Sequence, residues 1–86
     1  MNETLTLNDG TELAGHLLER GEKLYLYVTG VTLREAFELL DDPEKTKAIQ
    51  AERYGAKTTV RGYKRLFSIS DDNGADGMVC AGLRKK

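Results

Sequence analysis

Hydrophobic and polar side chains alternate with a period of two along the first third of the chain. The stretch TLTLNDGTELAGHLLERGEKLYLYV, residues 4–28, keeps this alternation through two interruptions, each of which contains a glycine. A period of two is the pattern of strands with one buried face, and short interruptions that contain glycine are typical of hairpin turns. The pattern therefore predicts a three-stranded antiparallel meander.

The first interruption fixes the register of the first hairpin. A three-residue loop of Asn8-Asp9-Gly10, closed by a left-handed glycine, places Leu5 opposite Leu13 and keeps the leucines of both strands on one face. A two-residue turn would instead place Leu7 opposite Glu12. Because a slip of one residue moves every side chain to the other face of a sheet, we predict the three-residue loop.

The second interruption predicts a two-residue turn at Arg20-Gly21. This turn places Leu17 opposite Leu24 and His16 opposite Tyr25. One face of the meander is then continuously apolar, and it consists of Leu5, Leu7, Leu13, Leu17, Leu24, Leu26 and Val28. The opposite face is amphipathic and aromatic, and its main members are Ala14, His16, Leu18, Tyr25 and Tyr27.

After the meander, the period changes to that of a helix in the stretch TGVTLREAFELLDDP. Thr32 and Glu35 have the spacing of a capping box, in which each side chain accepts a hydrogen bond from the backbone amide of the other residue. Asp42-Pro43 ends the pattern, because the residue before a proline avoids helical angles. We predict one amphipathic helix near residues 32–41 that covers the leucine face of the sheet. Its apolar stripe is Leu33, Ala36, Phe37 and Leu40.

Residues 43–54 fit either a second helix or the first strand of a hairpin. Asp42-Pro43 and Gly55 are suited to the start and the end of a helix, but the apolar stripe of that helix would be thin. The hairpin turns at Gly55-Ala56 and places Ile49 opposite Gly62. The stretch KTTVRGY that follows is β-branched and aromatic, as strands are. These residues alone leave both structures open.

The end of the chain predicts a further hairpin. RLFSIS and MVCAGL are alternating apolar stretches on either side of the loop DDNGADG, and they place Ile69 opposite Val79 and Phe67 opposite Ala81. Residues 84–86 follow as a frayed basic tail. The elements together predict a single α+β domain over residues 1–86. It consists of an antiparallel, β-rich sheet of about six or seven short strands, folded partly on itself, with one amphipathic helix.

Composition is that of an ordinary globular protein. The 86 residues are 40% hydrophobic and 31% charged. Cys80 is the only cysteine, which excludes an intramolecular disulfide and favours a reducing cytoplasm. The start, MNETLTLNDG, has neither the basic residues nor the apolar run of a signal peptide, and no stretch is long and apolar enough for a membrane span. We therefore expect a cytoplasmic protein without a membrane partner.

Charge is unevenly distributed along the chain, although the formal net charge is −1. Residues 1–44 carry ten acidic and three basic side chains, whereas residues 45–86 carry four acidic and ten basic ones. If the acidic and the basic side chains lie on separate parts of the surface, they would steer charged partners or align copies of the chain head to tail. If they lie on adjacent strands, their charges would largely neutralise each other.

No combination of residues predicts catalysis or a metal centre. His16 is the only histidine, and it lies in a strand without a partner placed for acid–base work. Cys80 lies in an apolar strand and has no second histidine to activate it. The loop DDNGADG lacks the ligand spacing of a calcium-binding loop. We therefore expect neither an enzyme nor a bound metal or cofactor.

Two groups of residues predict contact with a macromolecule. Half-exposed aromatic side chains are typical of protein interfaces, and we interpret the aromatic sheet face of His16, Leu18, Tyr25 and Tyr27 as a protein-binding surface; the alternative is burial of this face under the later strands. Exposed edge strands would also allow self-association. The second group is a basic segment interleaved with aromatics, a pattern typical of nucleic-acid-binding strands. Its basic members are Lys45, Lys47, Arg53, Lys57, Arg61, Lys64 and Arg65.

Four stretches of the chain carry a resemblance to known proteins: LTLNDGTEL, TLREAFELLDDPEKTKAI, GYKRLFSIS and a closing strand that ends in LRKK. They resemble a loose group of small uncharacterised proteins encoded by prophages of Gram-positive bacteria. In that group, the segment after Asp-Pro-Glu-Lys-Thr looks like a strand pair leading into Gly-Tyr, so the resemblance favours the hairpin over the helix. For function it implies a phage-derived accessory or virion-associated protein, and it transfers no active residue.

The combined prediction is a non-enzymatic structural or accessory module, derived from a phage or prophage, that binds other proteins or itself. Nucleic-acid binding by the basic, aromatic-interleaved segment 45–67 is the alternative, and the pI of about 5.8 disfavours it. The expected location is the cytoplasm of the bacterial host, with the virion as the alternative.

Overall fold

Seven strands and two short helices make up the fold. The computed structural model describes residues 3–72 and 78–85. In chain order the elements are β1 (Glu3–Thr6), β2 (Glu12–Arg20), β3 (Lys23–Thr29), α1 (Leu33–Leu40), α2 (Pro43–Thr46), β4 (Ala48–Arg53), β5 (Ala56–Arg61), β6 (Tyr63–Asp72) and β7 (Met78–Lys85). The strands form one antiparallel sheet in the order β5-β4-β1-β2-β3-β7-β6. The predicted α+β class and β-rich sheet are confirmed.

The first turn of the meander is the three-residue loop predicted from the sequence. Leu5 faces Leu13, and the Leu7 amide donates to the carbonyl oxygen of Thr11 at 2.8 Å. Gly10 has a φ of 94°, so the glycine closes the loop in the left-handed region.

The second turn differs from the prediction. Its central residues are Gly21 and Glu22, and His16 therefore faces Tyr27 instead of Tyr25. Gly21 has a φ of 59°, as the first central position of a type II′ turn requires, whereas a turn with the arginine first would force that arginine to a positive φ. The register moves by two residues, so the inner and outer faces of the meander stay as predicted.

Helix α1 begins and ends where the sequence predicts, but it buries only two of the four residues of the predicted apolar stripe. The capping box is present, because the Glu35 amide donates to Thr32 Oγ1 at 3.1 Å and the Thr32 amide donates to Glu35 Oε1 at 2.8 Å. Ala36 and Leu40 are buried, whereas Leu33 and Phe37 remain 37% and 46% exposed. The helix lies closest to β6 and β7 and not over the first meander. Its outer apolar residues therefore have no sheet beneath them.

Residues 43–54, which fit either a helix or a strand by sequence, contain one helical turn and then the first strand of a hairpin. Asp42 caps α2, since its Oδ1 accepts a hydrogen bond from the Glu44 amide at 3.0 Å, but the helix ends at Thr46. Strands β4 and β5 then pair around a turn of Tyr54 and Gly55, which have φ values of 52° and 79°. These are the two left-handed residues of a type I′ turn. The predicted hairpin is confirmed, with Ile49 opposite Val60 instead of Gly62.

The last hairpin is also confirmed, with an irregular register. Ile69 faces Ala81 instead of Val79, and β6 carries two irregularities further from the turn, between Tyr63 and Arg65 and between Leu66 and Ser68. The second one leaves Phe67 without a partner in β7, as a bulge does. Strand β7 continues to Lys85, so the predicted basic tail is paired as far as that residue. Residues 73–77 of the acidic loop lie outside the described part of the chain.

Gly62 joins β5 directly to β6, although these strands are the two opposite edges of the sheet. Its φ is 91°, and its amide donates to the carbonyl oxygen of Lys47 at 3.3 Å. The two edges meet at this residue, so the sheet curls and encloses one of its faces. The dimensions of 29 × 29 × 24 Å agree with a curled sheet.

The enclosed face forms one hydrophobic core to which all seven strands and α1 contribute. Its members are Leu5, Leu7, Leu13, Leu24, Leu26, Val28, Ala36, Leu40, Ile49, Ala51, Val60, Tyr63, Val79, Ala81 and Leu83. Burial of this apolar area is the main stabilising contribution to a domain of this size. Within the described residues, neither helix has the length or the apolar character to cross a membrane.

Tyr63 has the largest fully buried side chain and connects β6 to the opposite side of the core. Its hydroxyl donates a hydrogen bond to the Glu19 carboxylate and lies 3.5 Å from the carbonyl oxygen of Gly21. Burial, and after it the hydrogen bond and charge of Glu19, raises the pKa of Tyr63 to about 12. The folded protein therefore favours the neutral phenol.

Replacement of Tyr63 by phenylalanine removes this hydrogen bond and changes the response to alkaline pH. We expect Tyr63→Phe to lower the free energy of unfolding by about 1 kcal/mol near neutral pH. Because the pKa is raised on folding, the contribution is complete below pH 10, the ordinary tyrosine value, and is lost as the pH rises from 10 to about 12. Urea denaturation at a series of pH values measures the difference between the variant and the parent.

Tyr54→Phe is the matched control, because Tyr54 is 77% exposed. Its unfolding free energy should follow that of the parent across the whole pH range. A constant difference between Tyr63→Phe and the parent from pH 8 to pH 12 would show that the phenol does not stabilise the fold through its neutral form.

Candidate functional site

The outer face of the sheet, opposite the core, gathers aromatic and basic side chains from β2, β3, β7 and β6. Side chains alternate between the two faces of a strand, so the residues between the core positions point outward. Strand register aligns them in three cross-strand rows. The basic row is Arg20, Lys23, Arg84 and Arg65; the aromatic row is Leu18, Tyr25, Gly82 and Ser68; the histidine row is His16, Tyr27, Cys80 and Ser70.

The basic row places four positive charges directly opposite one another across four strands. Like charges in this arrangement destabilise a sheet. Among residues 3–72 and 78–85 there is one ion pair, and it joins Glu44 of α2 to Lys47, the residue that follows the helix. No carboxylate of the described chain therefore forms an ion pair with the basic row, and its side chains can contact an anionic group from outside.

Phe67 lies on the outer face beside the aromatic row because of the bulge in β6. Its ring meets the ring of Tyr25 edge to face at a centroid distance of 6.1 Å. The guanidinium carbon of Arg84 and the Nζ of Lys23 lie 5.0 and 5.5 Å from the Phe67 centroid. These are cation–π distances, so the aromatic and basic rows form one continuous surface.

Gly82 makes room for the Phe67 ring. A Cβ atom at residue 82 would lie 2.7 Å from Phe67 Cζ and 2.8 Å from Ser68 Oγ. Both distances are shorter than van der Waals contact. The absence of a side chain at Gly82 therefore allows Phe67 to lie flat against β7.

The histidine row consists of stacked, half-buried rings. His16 and Tyr27 have a centroid distance of 4.8 Å and an interplanar angle of 17°. His16 therefore stacks on Tyr27, its partner in the observed register, and not on Tyr25, which the predicted register placed opposite it. Burial, and after it the neighbouring Cys80, raises the pKa of the Tyr27 phenol. This phenol remains neutral at physiological pH and presents an apolar ring with one hydroxyl.

The chemistry of this surface is that of binding. Arginine and lysine side chains contact anionic groups, and aromatic rings contact apolar or planar ones. Within the described ranges, no three histidine, cysteine, aspartate or glutamate side chains come together as a metal ion would require.

The structure brings one predicted group of residues together and distributes the other. His16, Leu18, Tyr25 and Tyr27 are neighbours on the outer face, where Leu18 is opposite Tyr25. None of them is covered by the later strands, since Leu18 is 39% exposed and the other three are half-buried. The seven basic residues of segment 45–65 are spread over α2, β4, β5 and β6. Of these seven, only Arg65 belongs to the basic row.

Four residues of the surface were not among the predicted protein-binding residues: Arg20, Lys23, Phe67 and Arg84. Arg20 and Lys23 are hairpin partners, whereas Phe67 and Arg84 belong to later stretches and become their neighbours through the strand order and the β6 bulge. For Arg20 and Lys23 the sequence did contain a signal, because they flank the second turn and hairpin partners next to a turn share a face of the sheet. The positions of Phe67 and Arg84 had no such signal.

The chain has no significant match among protein-family models, curated proteins or solved structures. Its function must therefore be inferred from the geometry of the outer face and from the physical chemistry of the residues there.

Substitution of Gly82 tests the packing of Phe67. We expect Gly82→Ala to push the Phe67 ring off the sheet and to lower the free energy of unfolding by about 1 kcal/mol, the lower end of the range for overpacking, because the ring is at the surface and can move. The ring protons of Tyr25 should shift in NMR spectra as the edge-to-face contact is lost.

A double-mutant cycle with Phe67→Ala provides the control. In that background, Gly82→Ala should cost little, which gives a coupling energy of about 1 kcal/mol between residues 67 and 82. Equal costs of Gly82→Ala in both backgrounds would mean that the ring does not lie against β7.

Proposed function

We propose that this protein is a non-enzymatic interaction module that binds another protein through the outer face of its sheet. The observation that supports this function is the juxtaposition of half-exposed Leu18, Tyr25 and Phe67 with a basic row that lacks acidic partners among the described residues. Tyrosine, phenylalanine and arginine are the residues enriched in protein interfaces. The surface fits a partner that combines acidic and apolar side chains.

The proposed biological setting is a prophage in the genome of a Gram-positive bacterium. Its support is the resemblance of the four stretches from LTLNDGTEL to the closing LRKK. In this setting the protein acts in the cytoplasm of the bacterial host as an accessory protein, or it accompanies the virion as a structural one. Partners in the first case are host or phage proteins, and in the second case they are other virion subunits.

Binding of single-stranded nucleic acid is a second candidate that the basic row favours. Four positive side chains beside Tyr25 and Phe67 offer contacts for phosphates and for stacked bases. Two features weigh against it. The chain has a net charge of −1, and Lys23 and Arg84 already lie over the ring of Phe67, where a base would stack.

A titration with labelled nucleic acid separates the two candidates. Fluorescent single-stranded and duplex DNA should show no submicromolar binding to the parent protein, even at ~50 mM salt, if the partner is a protein. Submicromolar binding that falls by several orders of magnitude towards ~200 mM salt would instead favour nucleic acid. Loss of that binding in Arg84→Glu would assign it to the basic row.

Affinity capture from bacteria that are producing phage tests the protein-binding function. A partner captured by the parent and identified by mass spectrometry should bind roughly 30-fold more weakly to Leu18→Glu or Arg84→Glu after purification, as expected for residues at the centre of an interface. Both side chains are exposed, so neither change disrupts the core.

Lys57→Glu is the matched control, because Lys57 is an exposed basic residue of β5, outside the three rows. It should bind like the parent. Equal binding by all four proteins would exclude the outer face as the contact surface.

A further inference from the structure

A second apolar surface lies between α1 and the β6 edge of the sheet. We call it the α1–β6 groove; it has a volume of about 410 Å³ and is lined by Phe37, Asp41, Leu66, Phe67, Ser68 and Ile69. Phe37 is 46% exposed and Phe67 is 37% exposed, so two large rings border the groove. It borders the outer face, since Ser68 belongs to the aromatic row and Phe67 lies beside that row.

The groove follows an edge of the sheet that has no neighbouring strand. Among the described strands, β6 pairs only with β7. The groove continues past Asp41 and Leu66 into a second depression of about 210 Å³ that is also lined by Pro43, Lys64 and Arg65. An unpaired edge with exposed apolar side chains favours association with another chain.

The two walls of the groove carry opposite charges. On the helical wall, Asp41 is the charged residue that lines the groove, and it is exposed. On the strand wall, Lys64 and Arg65 line the adjoining depression, and Arg65 lies opposite Arg84 in β7. Within the described residues, none of Asp41, Lys64 and Arg65 forms an ion pair. These charges can therefore pair with an incoming surface.

This distribution of charge identifies the occupant that fits. A uniformly acidic or uniformly basic segment would be repelled by one of the two walls. A second copy of the chain, turned about a two-fold axis that runs along the groove, sets each helical wall against the strand wall of its partner. Phe37 of each copy then lies in the groove of the other, and the apolar residues that line the two grooves pack against each other.

We propose that the α1–β6 groove is the interface of a two-fold symmetric homodimer. Such dimers are the commonest symmetric assemblies, and they require a surface that is complementary to itself. An interface of standard size buries about 800 Å² on each partner, a substantial part of the 5252 Å² surface of this chain. We therefore expect the interface to extend over the exposed face of α1, which includes Leu33.

Sedimentation equilibrium over a dilution series tests the dimer. The parent should associate at ~50 mM salt and dissociate more readily at ~500 mM, because screening weakens the contacts between the walls. Phe37→Ser should weaken the dimer at least tenfold without unfolding the protein, since Phe37 is half-exposed. Circular dichroism checks that the variant remains folded.

Charge reversal gives a more specific test of the two-fold arrangement. Asp41→Lys alone sets positive against positive, and Arg65→Asp alone sets negative against negative, so each variant should be monomeric. A mixture of the two variants should form a heterodimer, because both pairs of walls are then complementary. The double variant Asp41→Lys/Arg65→Asp should dimerise again.

Lys57→Asp, on the opposite edge strand β5, is the control and should dimerise like the parent. A parent that stays monomeric at millimolar concentration and low salt would overturn the proposal, and so would a dimer that none of the groove variants weakens. Arg65 and Phe67 belong to both proposed surfaces, whereas Leu18 does not line the groove. Leu18→Glu therefore separates the two proposals, because it should leave the dimer unchanged and weaken only the binding of another protein.

Discussion

A single residue, Gly62, must carry the backbone from one edge of the sheet to the other. Seven strands spaced about 4.8 Å apart would place the edges roughly 29 Å from each other in a flat sheet, whereas a one-residue link spans only about 7 Å. The sheet therefore has to curl until β5 and β6 meet. The curl creates an enclosed face for the core, and the positive φ of Gly62 allows the chain to turn at the joint.

The curl also decides which residues are left for function. The enclosed face takes nearly all of the large aliphatic side chains, and the outer face keeps the aromatic and basic ones. β6 lies beside β7 and β7 beside β3. Phe67, Arg84 and Tyr25 therefore become neighbours, although they belong to three separate stretches of the chain. Helix α1 packs at the β6 edge, and the groove between them is a consequence of the same topology.

Local patterns were sufficient for the meander strands and their faces and for the bounds of α1, but they left residues 43–54 open between a helix and a strand. The alternation of Leu5, Leu13, Leu24 and Leu26 predicted strands with one buried side, and the spacing of Thr32 and Glu35 predicted the start of α1. These signals are short in range, because alternation and capping depend on residues a few positions apart.

The strand registers and the strand order were harder to predict from local sequence patterns. All three of the later hairpins differ by two residues from their predicted registers. The turn at Tyr54-Gly55 holds a tyrosine at a positive φ, which the preferences of single residues do not predict. The bulge at Phe67 packs against Gly82, which lies in another strand. The basic row depends on strands that are far apart in the chain, and no local pattern encodes which of them pair.

The strand order itself is the claim on which both proposed surfaces depend, and nuclear Overhauser effects in the isotopically labelled protein test it most directly. Cross-strand contacts between the backbone protons of Leu5 and Ala51, and between those of Tyr25 and Gly82, are predicted by the order β4-β1-β2-β3-β7. Contacts between Val60 and Tyr63 as hairpin partners, together with the loss of the Leu5–Ala51 pair, would show that β5 and β6 are adjacent strands and would contradict the account.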